Sequence, residues 1–156
     1  MPAYRGRIPL DVFYTGTHHP QWLRQTDVPL FLSRRRLAGL KHLPRARGLW
    51  ALDSGAFTEL SMYGQWTVTI DQYIAEVRRY IDGIGHLQWA AAMDWVCEPW
   101  VRAKTGLSVE AHSQRTTENF LESLTRAPEL PWAPVLQGWS GWEQSAGARA
   151  RRGSAC

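Results

Sequence analysis

"GLWALDSGAFTEL", residues 48–60, decides the fold. An apolar run, Leu49-Trp50-Ala51-Leu52, stops abruptly at a carboxylate, Asp53, and the small residues Ser54, Gly55 and Ala56 follow. A short apolar run closed in this way reads as a buried strand entering a turn. The pattern returns twice. "WAAAMDW" (89–95) runs through three alanines and Met93 into Asp94, and "WAPVLQGW" (132–139) runs into Gln137 and Gly138. Parallel sheets bind their ligands beyond the carboxyl ends of the strands, so three such endings point to one shared rim.

Working outward, "LDVFYTG" (10–16) and "VPLFLS" (28–33) read as two further strands, and "LQWAAAMDW" places the fourth over 87–95. A helix is expected over 34–43, with Leu37 and Leu40 on one side and Pro44 as its stop. Ile70, Tyr73, Ile74, Val77, Tyr80, Ile81 and Ile84 form one apolar stripe. Thr69 and Gln72 supply a capping box before it, and Gly83 and Gly85 lie near its end. A second helix is expected over 108–125, capped by Ser108, with Phe120, Leu121 and Leu124 facing inward. Strands alternating with helices imply an α/β fold, a parallel sheet with helices outside it. The alanines at 90–92 suit a strand packed on both faces. Five strands fit an open sheet or part of a (β/α)8 barrel, and periodicity alone leaves both open.

At 156 residues, 44% hydrophobic and 21% charged, the chain has the size and polarity of one soluble domain. No run approaches the roughly 18 apolar residues of a membrane helix. The amino terminus lacks the apolar centre of a secretory signal, so a cytoplasmic location and no membrane partner are expected. Cys97 and Cys156 cannot supply a disulfide framework or four zinc ligands. Cys97 reads as a packed thiol. The adjacent His18 and His19 point opposite ways along an extended chain, so no metal site is expected. From Gly141, "GWEQSAGARARRGSAC" loses all apolar period. The expected division is a domain over 1–140 and a disordered Arg/Ala/Gly-rich tail over 141–156.

Charge is unevenly placed. Residues 1–47 carry nine Arg or Lys against two acids, and residues 48–140 carry six against eleven. A basic segment beside an acidic, tryptophan-rich one suits a polyanion held by one region and worked on by another. Arg34, Arg35 and Arg36 are the candidate contacts to a nucleic-acid backbone, although the same run also reads as a solvated helix face. Taken singly, Asp53 reads as a turn cap, and Asp94 as an ion-pair partner for Arg102 or Lys104.

Together the motifs are more specific. "LDSGAF" resembles the Asp-Ser-Gly-Gly-Phe motif of the tRNA-guanine transglycosylase superfamily, "AAMDW" its second aspartate motif and "PVLQG" its Val-Gln-Gly strand. The closer resemblance is to the deazapurine DNA-modification transglycosylases, the DpdA-like proteins. "FYTGTHHPQWL", "VPLFLSRRRL", "WALDSGAFTELS", "MDWVCEPW" and "LPWAPVLQGW" occur in that order over about residues 10–139. The resemblance implies a partial TIM-type barrel of about five βα units that exchanges guanine in DNA for a 7-deazaguanine base. No cofactor is expected, and nothing in this sequence supports the zinc site that the superfamily's tRNA members carry near their carboxyl end. It implies that Asp53 is the general acid and base, that Asp94 recognises the Watson–Crick edge of the purine, and that Gln137 bonds the base beside Gly138. Ser54 and Gly55 would let the base approach the backbone closely, and Trp95 or Trp139 could stack on it. Ala56 stands where the superfamily motif has its second glycine.

The aspartate that attacks the sugar comes, in such enzymes, from a later strand. The likeness stops at Trp139, so a truncated or inactive copy is expected. A tRNA-directed transglycosylase is the alternative reading, and a non-catalytic nucleic-acid-binding fragment is the third. The oligomeric state is left open.

Overall fold

The computed structural model describes residues 12–138, so the expected tail over 141–156 and Trp139 lie outside the described residues. Among the described residues five strands, β1 (Thr15–Thr17), β2 (Leu30–Ser33), β3 (Trp50–Asp53), β4 (Leu87–Ala91) and β5 (Trp132–Ala133), form one sheet. Every pairing is parallel, and the strands lie in the order in which the chain makes them. A doubly wound sheet reverses its strand order at a switch point; this sheet has no reversal. Among the described residues four helices accompany it: α1 (Ala56–Tyr63), α2 (Ile70–Gly83), α3 (Pro99–Thr105) and α4 (Val109–Arg126). The α/β class read from the alternation is the class observed.

Alternation along the strands divides the sheet's two faces. Leu30, Leu32, Trp50, Leu52, Ala90 and Trp132 join Tyr73, Ile74, Val77 and Tyr80 of α2 in the main core. Burying each of these large apolar side chains contributes about 1.5–3 kcal/mol. The other face carries a smaller aromatic group, in which Trp89 meets Phe31 at 5.3 Å and Tyr14 edge-on at 5.6 Å between ring centres. Asp53 follows Ala51 by two residues and lies opposite Ser33 in the register, so both close the second face at its carboxyl end.

Both long helices start where their capping residues predict. Thr69 Oγ1 accepts from the Gln72 N–H at 3.2 Å, and Gln72 Oε1 accepts from the Thr69 N–H at 2.8 Å. The Ser108 side chain accepts from the Ala111 N–H. The helix expected over 34–43 does not form; only a short 3-10 turn, Arg34–Arg36, is present. Three guanidinium groups in a first turn with no acid there would face the positive end of the helix dipole. Arg34 instead turns inward to Glu59 and Glu76. Helices α1 and α3 are absent from the sequence reading because eight and seven residues span too few turns to set a period. Strands β4 and β5 stop before the expected ends at 95 and 139.

The inner face of α4 also differs. Phe120 and Leu124 are only partly buried against the core. The deepest side chains of the helix include His112, Thr116 and Ser123, at 0%, 1% and 0% exposure. Among the described residues no helix is long and apolar enough to cross a membrane.

Candidate functional site

The site assembles where β3, β4 and β5 end. Asp53 is the last residue of β3. Its Oδ2 accepts from the Gly55 N–H at 3.2 Å, and the Ser33 hydroxyl also bonds this carboxylate. Burial pushes its pKa up, and those two hydrogen bonds oppose the rise without cancelling it.

Ser54 is fully buried and links two elements. Its Oγ accepts from the Ala56 N–H at 3.2 Å, starting α1, and donates to Asp94 Oδ1 at 2.5 Å. Gly55 makes the turn between them at φ 81°. A Cβ there would stand 2.9 Å from Arg35 Cγ and 3.2 Å from Ser33 Oγ. Gly55→Ala is expected to lose about 1–2 kcal/mol to the left-handed backbone, with the side-chain crowding added. Urea unfolding measures this, and an unchanged midpoint would contradict the crowding argument.

Asp94 lies three residues beyond β4, on an irregular but buried stretch, and is 6% exposed. Its second oxygen, Oδ2, accepts from Gln137 Nε2 at 2.5 Å. Gln137 follows β5, and Gly138 is the last described residue. Burial dominates the Asp94 carboxyl and, with the nearby charge of Asp53, raises its pKa to about 6 against the bonds from Ser54 and Gln137. Asp53, Ser54, Gly55, Asp94 and Gln137 thus meet at one end of the sheet. Asp94 takes a hydroxyl and an amide as partners, in place of the Arg102 or Lys104 ion pair that sequence alone also allowed.

Chemically, the rim presents two carboxyl groups whose proton affinity is raised by burial. Carboxyl groups shifted in this direction are suited to acid–base work. When ionised, each Asp94 oxygen keeps a second lone pair beyond the bond it already accepts. The pair can therefore receive two parallel N–H donors.

The three arginines separate. Arg34 is 5% exposed, with Nη1 3.3 Å from Glu59 and Nε 2.5 Å from Glu76. Arg35 reaches Glu59 at 2.6 Å. Arg36 is exposed, with Nη2 3.3 Å from His18 Nδ1. Trp95 is 8% exposed; the Arg115 guanidinium lies 4.5 Å over its ring, and His112 meets it edge-on. Its face is therefore covered by the protein. Among the described residues no cluster of three His, Cys, Asp or Glu side chains could hold a metal ion.

Sequence reading missed Ser33 and Glu59. Ser33 left one trace, closing "VPLFLS" at the same strand end as Asp53. Glu59 left none, since its partners, two arginines and Thr67, are gathered by the fold. It fastens α1, which starts directly after Gly55, to the exit of β2.

The family model described as DpdA, DeoxyPurine in DNA protein A, matches residues 10–146. Neither a curated protein nor a solved structure matches the chain. Because that match spans most of the 156 residues, including every strand end at the rim, the chain belongs to the DpdA family, DeoxyPurine in DNA protein A.

Proposed function

We propose that this chain carries the base-recognition and proton-transfer side of a guanine-exchange site for DNA, built on a partial (β/α)8 barrel. Sequential parallel order supports the barrel reading, as does a sheet whose second face holds the aromatic residues Tyr14, Phe31 and Trp89. The family description, which names deoxypurine in DNA, favours DNA over tRNA. One observation carries the site assignment: Asp94 is bonded at once by Ser54 from the β3 exit and Gln137 from the β5 exit. That arrangement aims a carboxylate and an amide at one place.

The ionised Asp94 accepts the two adjacent N–H donors on the Watson–Crick edge of guanine or a 7-deazaguanine base. Gln137 contributes an amide donor or acceptor, and Gly138 leaves room beside it. Exchange breaks the bond between the sugar C1′ and the purine nitrogen, which departs with a proton. Asp53 gives that proton and takes one back from the incoming base, so it ends as it began. Attack on C1′ needs a further carboxylate, which no strand end among the described residues provides.

Recognition requires only residues described here, so equilibrium binding of free bases is the test. Guanine and 7-deazaguanine should bind, and adenine, whose edge inverts the donor pattern, should not. At pH 8, where Asp94 is ionised with or without the neighbouring charge, Asp53→Asn should leave the affinity intact. Equal binding of adenine, or no binding of any base between pH 5 and 8, would overturn the assignment.

DNA contact is proposed to fall mainly on Arg36, since Arg34 and Arg35 are paired internally. Arg36→Ala should weaken duplex binding and reduce its salt slope by about one unit. An unchanged slope would remove Arg36 from the interface.

A further inference from the structure

Asp94 sits on chain that belongs to neither helix nor strand, yet Ala92 to Cys97 are all buried. Buried backbone outside regular structure must find hydrogen-bond partners elsewhere. Side chains supply them on either side of Asp94. Asn119 Nδ2 donates to the Met93 carbonyl at 2.8 Å. Trp66 Nε1 donates to the Asp94 carbonyl at 3.1 Å. Thr116 Oγ1 accepts from the Trp95 N–H at 2.8 Å, and His112 Nδ1 lies 2.7 Å from the Val96 carbonyl. His112, Thr116 and Asn119 fall at i, i+4 and i+7, one face of α4. Burial holds the His112 pKa below its ordinary value, which matches a neutral ring whose Nδ1 carries the hydrogen and whose Nε2 faces Thr105 Oγ1 at 2.8 Å.

We propose that His112, Thr116 and Asn119 are positioning residues for base recognition, fixing the backbone of Met93–Val96 so that the Asp94 carboxylate stays between Ser54 and Gln137. The role rests on the base-recognition reading above, but the positioning itself shows without any base. It also explains why the buried face of α4 is polar at these positions: they serve an irregular chain with backbone donors and acceptors to satisfy, rather than an apolar surface.

Thr116→Val keeps the shape and removes the acceptor. Carboxyl carbon NMR of Asp94, in the full chain without ligand, should then show its titration midpoint displaced by about half a unit or more, as the Ser54 and Gln137 bonds loosen. The charged neighbour that bears on this group, Asp53, is unchanged in the variant. Affinity for 7-deazaguanine should fall roughly tenfold to a hundredfold, the scale expected for a misplaced contact group. Thr116→Ser should restore both.

Ser123→Ala is the control. Ser123 is equally buried on the same helix, but its hydroxyl donates to the Asn119 carbonyl within α4. It should lower stability and leave the Asp94 midpoint in place. Should Thr116→Val not fold, Asn119→Ala carries the same expectations. An unmoved midpoint in a folded Thr116→Val or Asn119→Ala, or an equal displacement in Ser123→Ala, overturns the proposal. A displaced midpoint in a protein that binds no base would uphold the positioning and reject the base-recognition reading.

Discussion

Asp94→Asn should weaken base binding severely and make the folded chain more stable at pH 8. Two effects of one carboxylate underlie this pair of outcomes. Its folded pKa is about 6, well above the ordinary range of an aspartate, so the fold favours the protonated form. Its contribution to stability is therefore full below pH 4 and is lost as pH rises through 6. Above that, the buried charge costs on the order of 3 kcal/mol. Asparagine carries no charge to bury. Its oxygen can accept from Ser54, and its amide can donate to Gln137 once that side chain's amide is turned. Urea unfolding should show the variant ahead at pH 8, with the gap closing toward pH 4.

Binding moves the other way. Guanine presents two donors, and an amide replaces one acceptor with a donor that meets another donor. Losing a charge-assisted pair and leaving a buried clash should cost about a hundredfold or more in affinity. In the unsubstituted chain the ionised form binds, so affinity should fall about tenfold per pH unit below 6 and level off above it. A variant that binds base as tightly, or that is less stable at pH 8, would remove Asp94 from the role assigned to it.

Glu59→Ala should produce the largest loss of stability, about 3–5 kcal/mol, the scale of breaking a buried ion pair from one side. Glu59 is 1% exposed and accepts from Arg34, from Arg35, from the Thr67 N–H at 3.0 Å and from Thr67 Oγ1 at 2.5 Å. Burial alone would raise its pKa; the Thr67 bonds and the two guanidinium groups outweigh burial and hold the carboxyl below its usual range. Removing it leaves Arg34 with Glu76 alone and Thr67 without its acceptor. Glu59→Gln keeps an acceptor for Thr67 and should lie between. Arg36→Ala, at the surface of the same turn, should change stability by no more than about 0.5 kcal/mol. Chemical denaturation of the three variants gives the ranking, and Glu59→Ala matching Arg36→Ala would show that the network adds nothing.

The extent to which the site could be read from the sequence follows from the range of the forces involved. Thr69 and Gln72 find each other across three residues, so α2 announces itself. Ser33 and Asp53 close neighbouring strands at the same register, yet neither residue alone reveals the other. The run at 34–43 shows the opposite failure. Its leucine spacing is helical, but acids 25 and 42 residues away capture the first arginine.

By itself, the sequence determined the α/β class, the helices α2 and α4 with their caps, and the polar residue at each of three strand exits. Apolar period and capping chemistry act over a few neighbouring residues and survive without the rest of the chain. Tertiary structure alone decided that Ser54 and Gln137, 40 and 43 residues from Asp94, share its carboxylate. It alone turned Arg34 inward and set a polar helix face against the Asp94 segment. Those pairings depend on sequential strand order, which brings the three exits side by side and shuts water away from the groups between them.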